Sequence, residues 1–221
     1  IGSGTRSFLH GQTTAEIMKA SENVPIHACC LSANGKIKSI IEIVITQDCA
    51  DVLVLAGEFN NLLESFDKVM FPSDKVNLET GNQIRRLQEL NYKKSWNKSK
   101  TIWLKTEEEI PEYFNLAETK EVEKWRFANG LLVGMNEINY DVNPFEIGLN
   151  DLIDFDKGCY LGQEAIARLI RGNFVARHLR YWESKEPISI GEKLIESNEV
   201  IDPKAPEIIG VVTSSLSLND K

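Results

Sequence analysis

Two apolar runs joined by a short polar link do most to limit what this chain can fold into. Val24 to Leu31 alternates, with Val24, Ile26, Ala28 and Cys30 on one face, and Ile37 to Thr46 follows after Ser32-Ala33-Asn34-Gly35-Lys36. Asn-Gly is a strong turn signal because both residues tolerate positive φ, so the two runs read as a β-hairpin. The period-two pattern of the second run predicts Ile37, Ser39, Ile41, Ile43 and Ile45 facing inward, with Lys38, Glu42 and Thr46 facing the other way. A third strand is expected at Asp51–Ala56. An amphipathic helix follows from about Glu58 to Val69, built on Phe59, Leu62, Leu63, Phe66 and Val69 and ended by Pro72. Lys75–Thr80 returns to strand. The order strand–strand–strand–helix–strand points to an α+β sheet layered by helices, not a doubly wound parallel sheet.

Before the hairpin, Thr5 to Ala20 opens with a helical turn closed near Gly11, and Thr13 or Thr14 is placed to cap a second. Residues 82–118 carry the least signal: Ile102-Trp103-Leu104 reads as a strand between a basic and an acidic stretch. Glu118 to Asn129 reads as a helix with Gly130 just past its end. The turn-rich residues 139–155 lead to Lys157-Gly158-Cys159-Tyr160-Leu161-Gly162-Gln163-Glu164. A short helix with Ala165, Ile166, Leu169 and Ile170 inward comes next. Phe174–Glu183 and Glu207–Thr213 read as strands of a small β-rich tail. The expected boundaries are 1–80, 81–172 and 173–221.

Composition narrows the function classes. The chain has 221 residues with 25 basic against 33 acidic side chains, a net charge of −8. That disfavours general affinity for nucleic acid or anionic membranes. No apolar run approaches the ~18 residues of a membrane span. The four cysteines, Cys29, Cys30, Cys49 and Cys159, form no C-x-x-C pair, so zinc-finger and disulfide-scaffold readings fail and a reducing compartment fits best. The chain opens at Ile1 with no initiator Met or targeting segment and stops just after an apolar strand, so both ends read as cut.

Cys159 lies between two glycines ahead of an expected helix, with Lys157 and Arg168 nearby in sequence. Cations and helix N-termini favour thiolates, so a redox or nucleophilic role stands beside that of a packed structural thiol. Cys29 and Cys30 read as core residues. His10, Gln12 and Thr13 form a polar cluster beside Phe8 and Leu9, either lining a small-molecule pocket or serving local turn chemistry. Asp151, Asp154 and Asp156 lack the glycine and terminal Glu spacing of a calcium loop. Neither G-x-x-x-x-G-K-[ST] nor G-x-G-x-x-G occurs. Arg168, Arg171, Arg177 and Arg180 form a local basic patch suited to a carboxylate or phosphate, or simply to a solvated face.

The run from Lys157 to Glu164, continued by Ala165-Ile166-Ala167-Arg168 and Arg171-Gly172, resembles the signature of the YgfZ family, folate-binding proteins related to the glycine-cleavage T-protein (aminomethyltransferase). Phe8 to Ala15 is similar to the family's F-L-x-G-Q-x-T-x opening, Leu31–Val44 to its hairpin, Trp125–Gly130 to its R-x-x-N-G helix end, and Ile209–Ser214 to its closing barrel strands. The resemblance implies an aminomethyltransferase-like fold: α+β subdomains around a central channel, with a partial C-terminal β-barrel. It implies tetrahydrofolate or a related folate as ligand, and a folate-dependent role in assembling or repairing iron–sulfur enzymes, with a link to tRNA-thiolation enzymes. Its implied partners are iron–sulfur client or assembly proteins, with no direct nucleic-acid or membrane contact and a monomeric state. Its implied location is the cytoplasm, or an organelle matrix or stroma.

Within that resemblance Cys159 is the functional thiol. His10, Gln12, Thr13, Lys157, Tyr160, Gln163, Glu164, Arg168 and Arg177 are the expected folate contacts, with Arg168 or Arg177 meeting the glutamate tail. No metal ligands are expected. Departures from the T-protein bear on activity. Lys38-Ser39 stands where T-proteins carry acidic residues, and Ala128 stands in place of a pterin-binding Glu. Carboxylates are natural partners for a pterin's N–H donors, so their loss argues against glycine cleavage. A folate-dependent one-carbon transferase and a scaffold with a vestigial pocket are the two rival readings. Glu42 and Asp141 are the weak candidates for the base that the first of these needs.

Overall fold

The computed structural model describes residues 1–131, 134–172, 175–195 and 208–217. Contacts divide the chain once, into the compact units Ile1–Leu179 and Arg180–Lys221. The expected boundary after residue 80 does not separate two cores. Leu31 of the hairpin, Trp96, Trp125 and Ile166 all belong to one buried cluster.

In the first unit, α1 (Thr5–Gln12) precedes an antiparallel sheet of β1 (Ile26–Leu31), β2 (Ile37–Thr46) and β3 (Cys49–Gly57), in the order β1-β2-β3. The Asn34-Gly35 turn closes the hairpin as expected, with Ser32 N–H donating to Lys36 O at 2.8 Å and Gly35 at φ 72. The alternation read from the sequence breaks at Lys38. Cys30 pairs with Ser39, but Leu31 pairs with Ile37, so Lys38 is the extra residue of a β-bulge. A one-residue slip exchanges faces. Ile37 therefore packs with Ile40, Cys29 and Leu31, while Ile41, Ile43 and Ile45 pack with Ala28, Cys30, Phe8 and Leu9. The expectation that Glu42 faces away from the core is also corrected, because both faces of the sheet are covered and Glu42 is 0% exposed.

Helix α2 (Phe59–Asp67) lays Leu62 and Phe66 on the Ile41–Ile45 face. A second sheet, β4 (Ile84–Gln88) paired antiparallel with β5 (Thr101–Lys105), occupies the stretch that carried least signal. Helix α3 (Thr119–Ala128) buries Trp125 and stops at Gly130, whose φ of 60 suits the residue past a helix end. Helix α4 (Gln163–Gly172) buries Ile166 against the Cys29–Leu31 face.

Three expected elements do not form. No second helix follows Gln12, since the Thr13 hydroxyl donates back to Leu9 O at 2.8 Å and the chain turns extended there. Residues 75–80 and 175–183 run without strand pairing, and Phe174 lies outside the described residues. In the second unit, β6 (Lys193–Ile195) pairs antiparallel with β7 (Ile208–Val211), the described core of the strand expected at 207–213; Glu207 lies outside the described residues. This is a two-stranded sheet, and no closed barrel forms among the described residues. The fold is mixed α+β with small antiparallel sheets. No helix among the described residues is long and apolar enough to cross a membrane.

Candidate functional site

The opening segment and the Lys157–Glu164 run meet although some 140 positions separate them. Leu161 N–H donates to Gly11 O and Asp154 N–H to Thr14 O, each at 2.9 Å. The Thr14 hydroxyl donates to Leu152 O at 2.6 Å and accepts from Cys29 N–H at 2.9 Å, tying both segments to β1. Gly162, at φ 87, sits so close to the end of β1 that a Cβ would lie 2.6 Å from Ser32 O. That position therefore needs glycine for both conformation and space.

Lys157 is buried. Its ammonium donates to His10 O and Thr13 O at 2.6 Å and to Ala15 O at 2.7 Å, and lies 4.9 Å from the centre of the Tyr160 ring. Three carbonyls satisfy all three of its protons. Burial pulls it down to about 8, while the Glu16 and Asp154 carboxylates work in the other direction. The Lys157 ammonium, expected to contact ligand, thus spends its three protons on an internal clamp. Tyr160 is buried beneath it, its hydroxyl pushed up to about 12 by burial. His10 is half-buried, with Nδ1 3.2 Å from Glu16 Oε1 and Nε2 facing Gly158. Burial and then the Lys157 charge lower its affinity for a proton.

Cys159 is exposed together with Gly158 before it, whereas Lys157, Tyr160 and Gly162 are buried. The other cysteines behave as packing thiols: Cys29 and Cys30 are buried, and burial pushes Cys30 up to about 12. Cys49 is half-buried at the start of β3. Among the described residues no group of three or more His, Cys, Asp or Glu side chains is placed to hold a metal ion.

The arginines divide. Arg177 is already engaged: it donates from Nε to Glu146 Oε1 at 3.0 Å and from NH1 to Asp141 Oδ2 at 3.1 Å. Its segment runs back along residues 141–146, with Leu179 N–H donating to Glu146 O at 2.6 Å. Arg177 is therefore not a free partner for an anionic tail. Arg168 pairs with Glu164 at 3.3 Å one helical turn away, both exposed, beside a shallow hollow lined by Asn34, Lys36 and Asn143. Gln163 is half-buried at the start of α4, its N–H donating to Tyr160 O at 3.2 Å.

The larger cleft, about 450 Å³, opens between the bulged end of the hairpin, the end of α1 and helix α2. That size falls within the roughly 300–1,000 Å³ of small-molecule sites. Gln12 and Leu161 bring the opening segment and the Cys159 run to its wall, which Lys38, Asn61, Phe66 and Tyr140 also line. Of the expected contacts only Gln12 lines it. Tyr140 adopts φ 63, which costs a bulky residue about 1–3 kcal/mol. Its hydroxyl accepts from Asn61 Nδ2 at 2.9 Å.

A second polar centre was not foreseen. Glu42 Oε2 accepts from Arg86 NH2 at 2.6 Å and Nε at 3.0 Å and lies 2.7 Å from His27 Nε2, while Oε1 accepts from Trp103 Nε1. Burial pushes the Glu42 carboxyl up, but hydrogen bonds from His27, Arg86 and Trp103 outweigh it and hold it at about 2. This centre fastens the β4–β5 sheet to β2, and nothing in sequence spacing signals it, because its members lie up to 61 positions from Glu42. Compared with known proteins, no family model matches the chain, and no curated protein matches it significantly.

Proposed function

We propose that this chain is a folate-binding protein of the YgfZ type, with an aminomethyltransferase-like arrangement, that assists iron–sulfur enzymes in the cytoplasm or an organelle matrix. The observation that supports this reading best is the exposure of the Cys159 thiol between the buried Lys157 and Tyr160. Packing explains Lys157, Tyr160 and Gly162 but gives no reason for a cysteine at 159. The cleft supports the ligand half of the reading. Leu31, Phe66, Val69 and Leu161 offer an apolar wall for a ring system, and Gln12 and Asn61 offer amide oxygens to its N–H donors. When bound, tetrahydrofolate would supply one-carbon chemistry; the chain's residues supply the wall, the amides and the thiol two positions from Leu161.

The rival reading, one-carbon transfer by the chain itself, needs a free carboxylate beside the folate. Glu42 is committed to three side chains, and Asp141 is held by Arg177 and Lys36; the hydrogen bond from Arg177, then the charges of both, keep its carboxyl below the usual range. The one acid on the cleft wall, Glu64, pairs with Lys68 at 3.2 Å. These engagements favour the assembly role.

The test is complementation. In a strain lacking the protein, Cys159→Ala is expected to fold and bind tetrahydrofolate like wild type yet fail to restore iron–sulfur enzyme activity. Full complementation would make Cys159 dispensable and remove the main support for this reading. An absence of heat on titrating wild type with tetrahydrofolate would remove the ligand half.

A further inference from the structure

We propose that Lys38 makes the 450 Å³ cleft selective for an anionic ligand with a flat apolar body, serving as the carboxylate-reading residue in place of the arginines after Cys159. The inference rests on the folate reading for the identity of the natural ligand, but not for that ligand's charge.

Lys38 owes its direction to the bulge. A residue inserted into a ladder is left unpaired, and bulges re-aim side chains beside binding sites. Had β2 continued in register, Lys38 would have stood opposite a β1 residue within the ladder. Instead it is the unmatched residue between the Leu31–Ile37 and Cys30–Ser39 pairs, and it lines the cleft. The neighbouring strand accommodates the distortion with Gly57, at φ 98, where a Cβ would collide with Lys38 O.

The charge balance of the cleft then singles Lys38 out. Three charged side chains line it: Lys38, Glu64 and Lys68. Glu64 and Lys68 neutralise one another at 3.2 Å, one helical turn apart. Lys38 is half-buried and has no ion pair among the described residues. The cleft therefore carries one unbalanced positive charge in a chain whose net charge is −8. The rest of the wall is apolar or neutral. Asn61 holds the Tyr140 hydroxyl from the facing side, so the aromatic ring is fixed at the wall in its left-handed backbone conformation. An anion seated on Lys38 with an aromatic body against Phe66, Leu161 and Tyr140 satisfies this set. A cation does not.

Two fluorescent probes separate charge from shape: 8-anilinonaphthalene-1-sulfonate and N-phenyl-1-naphthylamine share an aromatic body and differ by one sulfonate. The full chain is expected to bind the sulfonate about tenfold more tightly, the worth of one charged hydrogen bond. Lys38→Met is expected to abolish that preference while leaving N-phenyl-1-naphthylamine affinity unchanged, and Lys38→Arg to retain it. The wild-type preference is also expected to shrink as sodium chloride is added, a readout that needs no variant. Equal binding of the two probes by wild type, or an unchanged ratio in Lys38→Met, overturns the proposal. A Lys38-dependent preference without tetrahydrofolate binding keeps the proposal and sinks the folate reading. Tetrahydrofolate bound equally well by wild type and Lys38→Met does the reverse.

Discussion

Lys157 and Glu42 are both buried charges in the first unit, but the ammonium is met by backbone and the carboxylate by side chains. Lys157 takes three carbonyls from one turn, His10 to Ala15, which any sequence tracing that turn would present. Glu42 takes donors from three separate strands, His27 on β1, Arg86 on β4 and Trp103 on β5. A backbone cage asks for one right residue, whereas a side-chain cage asks for four. The two should therefore fail differently. Removing Lys157 leaves neutral acceptors short of donors; removing Glu42 leaves a half-buried guanidinium without its counter-charge.

The largest expected effect is Glu42→Ala, a loss of about 3–5 kcal/mol in urea unfolding, the usual result of deleting one partner of a buried ion pair. Lys157→Met should cost less, about 1–3 kcal/mol, because orphaned carbonyls carry no charge. Equal losses would erase the distinction between the two cages.

The pH dependence sharpens it further. Glu42 titrates at about 2 folded against 4.5 ordinarily, so its stabilisation is complete above pH 4.5 and is lost as pH falls toward 2. Lys157 titrates at about 8 folded against 10.5 ordinarily; the unfolded chain binds more protons in that interval, so stability rises from pH 8 to 10.5. Stability measured across pH should lose the acid fall-off in Glu42→Gln and the alkaline rise in Lys157→Met. The smallest effect is reserved for Arg168→Ala. Losing its exposed pair with Glu164 should leave unfolding within about 0.5 kcal/mol of wild type.

The same contrast explains what could be read from the sequence. The hairpin, α2, α3, β5 and α4 announce themselves through local periodicity and through Asn34-Gly35 and Gly130. So does the prominence of the Lys157–Glu164 run, although its residues turn out to divide into clamp, packing surface and exposed positions, the Cys159 thiol among them. The bulge at Lys38 was not legible, because a single inserted residue leaves the apolar pattern of Ile37 to Ile45 looking regular. It nevertheless moves Ile37 to the opposite face. Glu42 was misplaced for a related reason: alternation assumes one wet face, and this sheet has none. Arg177 was read as free because its partners, Asp141 and Glu146, come from a turn-rich stretch with no period. Strand β4 was missed since its middle, Arg85-Arg86, is polar by composition and engaged by position.

The Lys157 clamp has a consequence for the order in which the molecule can be assembled. Its bonds join positions 142 to 147 residues apart. At ribosomal speeds of about 5–20 residues per second, Ile166 follows Cys29 by roughly 7–27 s. Until then the face bearing Cys29, which ends fully buried in a cluster that includes Trp96, Trp125 and Ile166, lacks part of its cover on the nascent chain. Its thiol, inert once folded, passes through an interval of reactivity set by the length of the intervening chain.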